Sequence, residues 1–544
     1  MSLASKLILL SVALLSSVFI ALLIRAKRRS LRFLQGPPSP SFFLGYEWEF
    51  ERVRRVGSIE NDWFRQFGSA YRMPGCFGED ILQVADPRAL QHICHKSAYR
   101  YKKPRDLEHL ISKIFGPGVL TVNALSMSRF SFSSLVGDVH QRQRKILNPA
   151  FSAAQIKPFA QLFASSVQSL TLKWRAEIEG DTKVIDIYKF LHRMALDSLG
   201  ETMFEYDFNA LGGKKTSELR DIMRDLFSDS NDPTEFVMLR NALYRFVPSS
   251  LTNLMALKKT KEDRRFAHWL KASQAVSEDL TRNKTENGGG GEKDKDLLSV
   301  LARSMKADDQ SKTLFPAEAL SQMAYVSSSP KSSRYLTMNY GHRTIIFAGH
   351  ETTASTMNWV LYELSRNPKT QEQLFREIKD LREQTGNDGA FSAQELESLV
   401  YLNAVIKETL RFHPIVPEII READEDDVIP LDDPVVDSSG LKPLWGEDAD
   451  EWKPERFFDK SRPTTLGVFA NLMTFSAGVR ACIGWRFAVL ELQVVIAALV
   501  ESFVFAPVDG VEIERVRIGV SPPMVKGKWE SGPQLPMKVA LRQA

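Results

Sequence analysis

The sequence predicts a mostly α-helical protein with a minor β portion, preceded by a single N-terminal transmembrane helix. Three observations predict it: one uncharged apolar run near the amino end, apolar residues spaced three and four apart through much of the body, and only a few short β-type runs. The 544 residues are 43% hydrophobic and 25% charged, with 30 Gly and 26 Pro, which excludes disordered, collagen-like and low-complexity chains. Basic residues number 71 and acidic residues 67, spread without blocks, so no nucleic-acid partner is expected. Three cysteines, Cys76, Cys94 and Cys482, make an odd and sparse set that points to a reducing compartment without a disulfide framework.

Leu7 to Ile24 runs without a charge, near the lower limit of a bilayer-spanning helix. Only Lys6 precedes it, whereas Arg25, Lys27, Arg28, Arg29 and Arg32 follow, which places the amino terminus in the lumen or outside and the body in the cytosol. A cleaved signal peptide would have a shorter apolar region and a small-residue cleavage site, where this chain has RAKRR. Residues 1–34 are therefore read as anchor and basic stop-transfer, and residues 35–544 as the globular domain. Gln35 to Pro40, rich in proline, separates them.

The body is patterned for helices over Ala154 to Glu177, Pro368 to Glu383 and Leu396 to Phe412. Trp359 to Leu364 continues a long apolar helix that should stop before Asn367-Pro368, because proline restricts the residue ahead of it. Ile81 to Val84 and Val428 to Val436 read as strands. Asn287 to Asp296 reads as a flexible polar loop open to nicking.

The chemistry concentrates in Phe475 to Gly484, of form F-x-x-G-x-R-x-C-x-G, which leads directly into the helical pattern Trp485 to Leu499. A thiolate donates strongly to iron but must be shielded and hydrogen-bonded. A cysteine just ahead of a helix meets N–H groups and a dipole that stabilise the anion. Gly478 permits a tight turn, and Gly484 removes a side chain where a flat macrocycle would come close. Arg480 can pair with a propionate, and Phe475 can cover the sulfur. A lone buried cysteine is more often structural; five partners at fixed spacing favour the ligand.

This stretch resembles the haem-binding loop of the cytochrome P-450 family, in its membrane-anchored, eukaryotic, fungal-like form, and further motifs follow the family's order. Glu408-Thr409-Leu410-Arg411 resembles the ExxR pair, whose spacing sets both side chains on one helix face. Pro454-Glu455-Arg456-Phe457 resembles the PERF segment, whose Arg456 would complete a Glu–Arg–Arg network supporting the haem loop. Ala348 to Thr353 resembles the oxygen-activation motif of the central helix. The resemblance makes Thr352 and Glu351 the catalytic alcohol and acid, gives Gly349 the task of opening space over the haem, and assigns His350 no ligand role. His140 and Arg144 match W-x-x-x-R with His in place of Trp, and with Arg421 they would hold haem propionates. Arg142 and Lys145 are candidate docking charges for a reductase. Phe347, Ala348 and Ile415 to Ile420 are candidate substrate-lining residues.

The resemblance covers roughly Gln35 to the carboxyl end and implies the P-450 fold as one haem-thiolate catalytic domain over residues 35–544, with Cys482 as axial ligand of the haem iron. It implies a monooxygenase that inserts one atom of O2 into an apolar small-molecule substrate. The cofactor would be haem b, with NADPH acting indirectly through an NADPH–cytochrome reductase and cytochrome b5 as a second electron partner. The expected location is the endoplasmic reticulum membrane, single-pass, with the catalytic domain cytosolic. A haem-thiolate isomerase or dehydratase would share the fold, but an intact Glu351-Thr352 argues against it. A non-catalytic haem protein draws support only from three irregularities: 123–136, 324–342, and the run from Val435 to Glu447, which is too short for the family's strands. The first two read as translated intron sequence, and the third as the loss of part of an exon near 441–444; the alternative is a genuine divergent member whose inserts loop out from a preserved haem core.

Overall fold

In the computed structural model the described residues are 16, 31, 33–53, 55–115, 140–141, 143–178, 182–212, 234–247, 259–261, 263–271, 273, 341–432, 445–446, 448–459 and 466–543. The apolar run Leu7 to Ile24 and the basic residues after it, Arg142, the stretch 123–136, the loop 287–296, the strand region 433–444 and all of 324–342 but its last two residues lie outside them. Among the described residues no helix is long and apolar enough to cross a membrane.

In chain order the described elements begin with α1 (Glu47–Arg52), α2 (Glu60–Phe67), β1 (Ala70–Pro74), β2 (Asp80–Val84), α3 (Pro87–Gln91), β3 (Tyr101–Lys102) and α4 (Arg105–Phe115). There follow α5 (Ala153–Ile156), α6 (Phe159–Glu177), β4 (Thr182–Asp186), α7 (Ile187–Leu199), α8 (Glu235–Phe246), α9 (Gly341–Arg366), α10 (Pro368–Thr385), α11 (Ala393–Ser398) and α12 (Val400–Phe412). The carboxyl part holds β5 (Glu422–Ala423), α13 (Trp485–Ser502), β6 (Phe503–Pro507), β7 (Ile513–Arg515), β8 (Pro523–Val525) and β9 (Pro536–Leu541). The mostly α, minor β class is as the sequence predicts.

Helix ends follow the local chemistry. Asn367 ends α9 and Pro368 opens α10, which closes on Gly386 in the left-handed region. Ser392 and Glu395 form a reciprocal capping box at the start of α11. Two spans expected as single helices are each broken. Pro158 stands between α5 and α6, and the extended backbone of Leu399 stands between α11 and α12. The strand expected from Val428 does not form over its described part. Asp427 there turns its carboxylate onto the Val428 N–H, and Asp432 N–H is taken by the Asp86 side chain.

Contacts divide the chain into two compact units. One takes in Met1–His109, Ser230–Glu262 and Ile420–Ala449. Its β1–β2 hairpin packs Tyr71 and Met73 with Phe50 and a ring of partly buried aromatics. β3 pairs antiparallel with β5. Arg245 on α8 ties the unit by ion pairs to Glu47, Glu79 and Asp106. The Pro-rich stretch lies against β1: Arg72 N–H donates to Gln35 O, and Gly36 sits so close to the Arg72 carbonyl that no Cβ would fit.

The other unit takes in Leu110–Asp229, Asp263–Ile419 and Asp450–Ala544. Its antiparallel sheet runs β4-β9-β6, so the carboxyl-terminal strand lies between two partners, while β7 and β8 form a separate hairpin. The core is built around α9 and α13. α13 is apolar on nearly every side and almost wholly buried, as an all-round apolar helix should be. Trp359 on α9 donates to Ser521 O and stacks on His413, whose Nε2 lies 2.7 Å from the buried Glu363 carboxylate. That lock fixes the end of α12 against α9.

Candidate active site

The segment ahead of α13 is a chain of tight turns. Cys482 N–H donates to Phe475 O at 2.8 Å and Ala481 N–H to Gly478 O at 3.1 Å. Gly478 has φ 62, so the glycine expected for a tight turn occupies a conformation that resists side chains. Ser476 adopts φ 58 and ψ −169, a region nearly reserved for glycine, and stores strain in the loop. Cys482 is exposed, yet burial pushes its thiol up, against the opposing pull of the Gly484 N–H and the Arg144 charge. A side chain that meets open space while ringed by protein lies in a recess.

Of the expected partners, Arg144 is brought onto this loop. Arg144 donates through Nη1 to Ala481 O at 2.6 Å, which fixes it against the cysteine loop. His140, one helical turn earlier, is buried. Arg480 is half-buried beside Cys482, and the Phe475 ring meets Phe469 edge-on at 6.0 Å. At Gly484 an added Cβ would meet only the Phe151 ring, at 3.7 Å, an ordinary contact.

Beneath the loop, Glu408 is fully buried and takes a two-pronged pair from Arg411, at 2.7 Å to Nε and 2.8 Å to Nη2. Arg456 adds a contact of 3.4 Å and the Lys453 N–H one of 2.8 Å. The Glu–Arg–Arg network expected from the sequence is thus assembled. Thr474 connects it to the cysteine loop by donating to Leu410 O, the carbonyl beside Arg411.

On α9, Thr352 donates to Ala348 O at 2.7 Å, so its hydroxyl is back-bonded to its own helix. Glu351 is buried and turns toward α7, where Tyr188 OH donates to Oε1 at 3.1 Å and His192 Nε2 lies 3.4 Å away. His350 Nε2 stands 3.7 Å from Oε2. Burial raises the Glu351 carboxyl, but His192, His350 and the Tyr188 hydroxyl outweigh it and hold the group down at about 2. Gly349 lies against α7. A Cβ there would come within 2.8 Å of the Leu199 side chain, so the glycine lets α7 and α9 approach closely.

The expected substrate-lining set disperses. Ile415 belongs to a buried cluster with Trp359, Val516, Ile518, Val520 and Met524, because the chain turns inward there after α12. Val416, Ile419 and Ile420 are exposed. Phe347 is buried against Phe115 and Trp269, while Ala348 stays half-buried. Arg421 lies in the unit that holds β3 and β5, half-buried and donating to Ile420 O. Lys145 is exposed.

Three titratable residues of this unit were missed by the sequence reading. His192 and Tyr188 lie far from Glu351 in sequence, and no local spacing pairs them. Glu491 could have been noticed as the lone acid in an otherwise apolar helix. It is fully buried, neither carboxyl oxygen makes a well-formed hydrogen bond, and burial pushes it up to about 8.

The donor set fits a haem. Among the described residues no group of three or more His, Cys, Asp or Glu could hold a metal ion. One recessed cysteine suits a haem, which would bring the rest of its iron's ligands itself, and the resemblance assigns its propionates to Arg144, Arg480 and His140. Comparison with known proteins agrees: the family model described as Cytochrome P450 matches residues 128–528. Cytochrome P450 monooxygenase 205 of Postia placenta is 32% identical over 96% of this chain and 94% of its own. Cytochrome P450 monooxygenase 128 of the same fungus is 30% identical over 94% and 92%. Cytochrome P450 monooxygenase claQ of Ampulloclitocybe clavipes is 29% identical over 93% and 92%.

Proposed function

We propose a division of labour among residues, and a membrane setting, for this chain, which belongs to the cytochrome P450 family and is a haem-dependent monooxygenase. A bound haem, receiving electrons from a reductase, would supply the oxygen-activating chemistry that inserts one atom of O2 into an apolar substrate and leaves the other as water. Cys482 supplies the thiolate. The Gly484 N–H and the Arg144 guanidinium favour its anionic form, and the cysteine loop shields it. Arg144, Arg480 and His140 would hold the propionates, and Arg421 is assigned there by the resemblance alone.

Glu408, Arg411 and Arg456 keep the loop in place. Their side chains touch no reacting atom; they act through Leu410 O and Thr474. Thr352 offers a hydroxyl at the point where the carboxylate of Glu351 is held ionised next to it in sequence, and the pair manages protons.

Residues 1–34 anchor the protein in the endoplasmic reticulum membrane with its body in the cytosol, supported by the uncharged run Leu7 to Ile24 and the basic cluster behind it. An NADPH–cytochrome reductase and cytochrome b5 are the proposed electron donors. The observation that carries the site assignment is the recessed Cys482 with Arg144 bound to its loop. Reconstitution with a reductase tests it: wild type should convert NADPH into oxygenated product, and Cys482→Ala should form none. Product from Cys482→Ala would refute the assignment. Membrane anchoring predicts resistance to alkaline extraction that is lost on removing residues 1–34.

A further inference from the structure

The Glu351 carboxylate lies between two imidazoles, and the hydrogen bonds on their far sides fix what each presents to it. His192 Nδ1 lies 2.9 Å from Tyr188 O, and His350 Nδ1 lies 2.6 Å from Ile346 O. A carbonyl oxygen only accepts, so each Nδ1 carries a proton and donates it. Both rings therefore turn Nε2 toward Glu351. Neutral His192 would aim a lone pair at the ionised Oε1 only 3.4 Å away, an unfavourable contact. The pair is satisfied only when one proton sits between them, on His192 Nε2 or on Glu351 Oε1.

We propose that His192 is a proton-bearing positioning residue that acts through Glu351. The Nε2–H bond of the imidazolium breaks as an O–H bond forms at Oε1, leaving neutral His192 with its Nδ1 proton still donated to Tyr188 O. Glu351 releases that proton on the side of the reaction, and half-buried His192 regains one from water. The inference rests on the reading of Glu351 as the acid of the reaction.

Two side chains hold the arrangement. Tyr188 OH donates to the same Oε1 at 3.1 Å and its ring lies 3.8 Å from the His192 ring, while Ser355 Oγ lies 3.5 Å from His192 Nε2. His350 stands farther off, with Nε2 3.7 Å from Oε2, and is buried, so half-buried His192 is the ring placed to exchange a proton with solvent.

Among the described residues, several charged groups of the other elements packed on α9 have partners of their own; Arg193, beside His192 on α7, and Lys407 on α12 are further charges on these elements. β6 and β8 carry no titratable side chain. On α12, Glu408 is occupied by Arg411 and Arg456. On α10, Glu377 accepts the N–H groups of Tyr401 and Leu402, and Glu372 pairs with Arg376 and Arg542. Glu491 of α13 has the α7 residue Ser198 beside it. On α7 itself, Lys189 pairs with Asp186, and Asp197 accepts the N–H groups of Ala210 and Leu211.

The test uses the holoenzyme with two variants and two readouts. Infrared titration, with Glu351→Gln to assign the band, follows the carbonyl stretch of a protonated carboxylic acid. Wild type should show no Glu351 band near neutral pH. His192→Phe should show one, because the strongest influence opposing burial, His192, is then gone and only His350 and the Tyr188 hydroxyl remain; no band there would overturn the proposal. His192→Gln keeps a donor near Oε1 but cannot pass a proton. It should retain the thiolate spectrum while product formed per NADPH consumed falls about tenfold and its pH profile flattens. Wild-type coupling in His192→Gln would overturn the proposal even if His192→Phe failed to fold. Full coupling in Glu351→Gln would overturn the reading beneath it as well, and is recognised separately because the infrared bands would still behave as expected.

Discussion

Replacing Glu408 by glutamine leaves the side chain's shape almost unchanged and removes one negative charge from a fully buried position. Arg411 and Arg456, with side chains 9% and 3% exposed, then share no carboxylate. Breaking a buried ion pair by removing one partner costs about 3–5 kcal/mol. Both guanidiniums still donate to Glu451 O, at 3.0 and 3.4 Å, so the lower end, about 3 kcal/mol, is expected. That corresponds to more than a hundredfold in the equilibrium for releasing the haem loop. Because a chain of two compact units need not unfold in one step, the assay should follow the thiolate-ligated Soret band against urea rather than global unfolding. Arg411→Lys keeps the charge but loses the two-pronged geometry, and should cost about half as much. A Glu408→Gln midpoint indistinguishable from wild type, or a lysine variant as damaged as the glutamine one, would refute the reasoning.

Ser476→Gly should relieve the left-handed strain at φ 58 and stabilise the haem-loaded protein by about 1 kcal/mol, read as a higher thermal midpoint for haem loss; an unchanged or lower midpoint would deny the strain. Glu491 is raised from 4.5 to about 8 in the folded chain, so the folded state binds its proton more tightly than the unfolded one. Its contribution is fully present below about 4.5, is lost as pH rises toward about 8, and changes no further above that. Each pH unit crossed in that window takes away about 1.4 kcal/mol. Glu491→Gln should therefore flatten the decline of stability with pH, and parallel wild-type and variant curves would contradict it. The transcript should lack codons for 123–136 and 324–342; a message that encodes both stretches would refute their reading as intron sequence.

The parts legible in the sequence share one property: their partners are close along the chain. The turn at Gly478, the Glu408–Arg411 pair and the stop of α9 before Pro368 depend on spacings of a few residues, and each forms as expected. What was not legible depends on the partner element. Gly349 serves the approach of Leu199, and Glu351 takes its setting from Tyr188 and His192, all on α7 and more than a hundred residues away. Apolar periodicity ran across Pro158 and Leu399 because the pattern records which face is buried, not whether the backbone is continuous there. Val428 to Val436 had β-type composition, but the Asp427 carboxylate captured the Val428 N–H that a strand ladder would need.

The carbon-monoxide difference spectrum of the reduced protein tests the central claim most directly, recorded for wild type and Cys482→Ala expressed with haem precursor. A strongly red-shifted Soret band in wild type, absent from the variant, is predicted if Cys482 ligates the iron as a thiolate. A band that survives the substitution would contradict the assignment of Cys482, and its absence from a folded, haem-loaded wild type would contradict thiolate ligation itself.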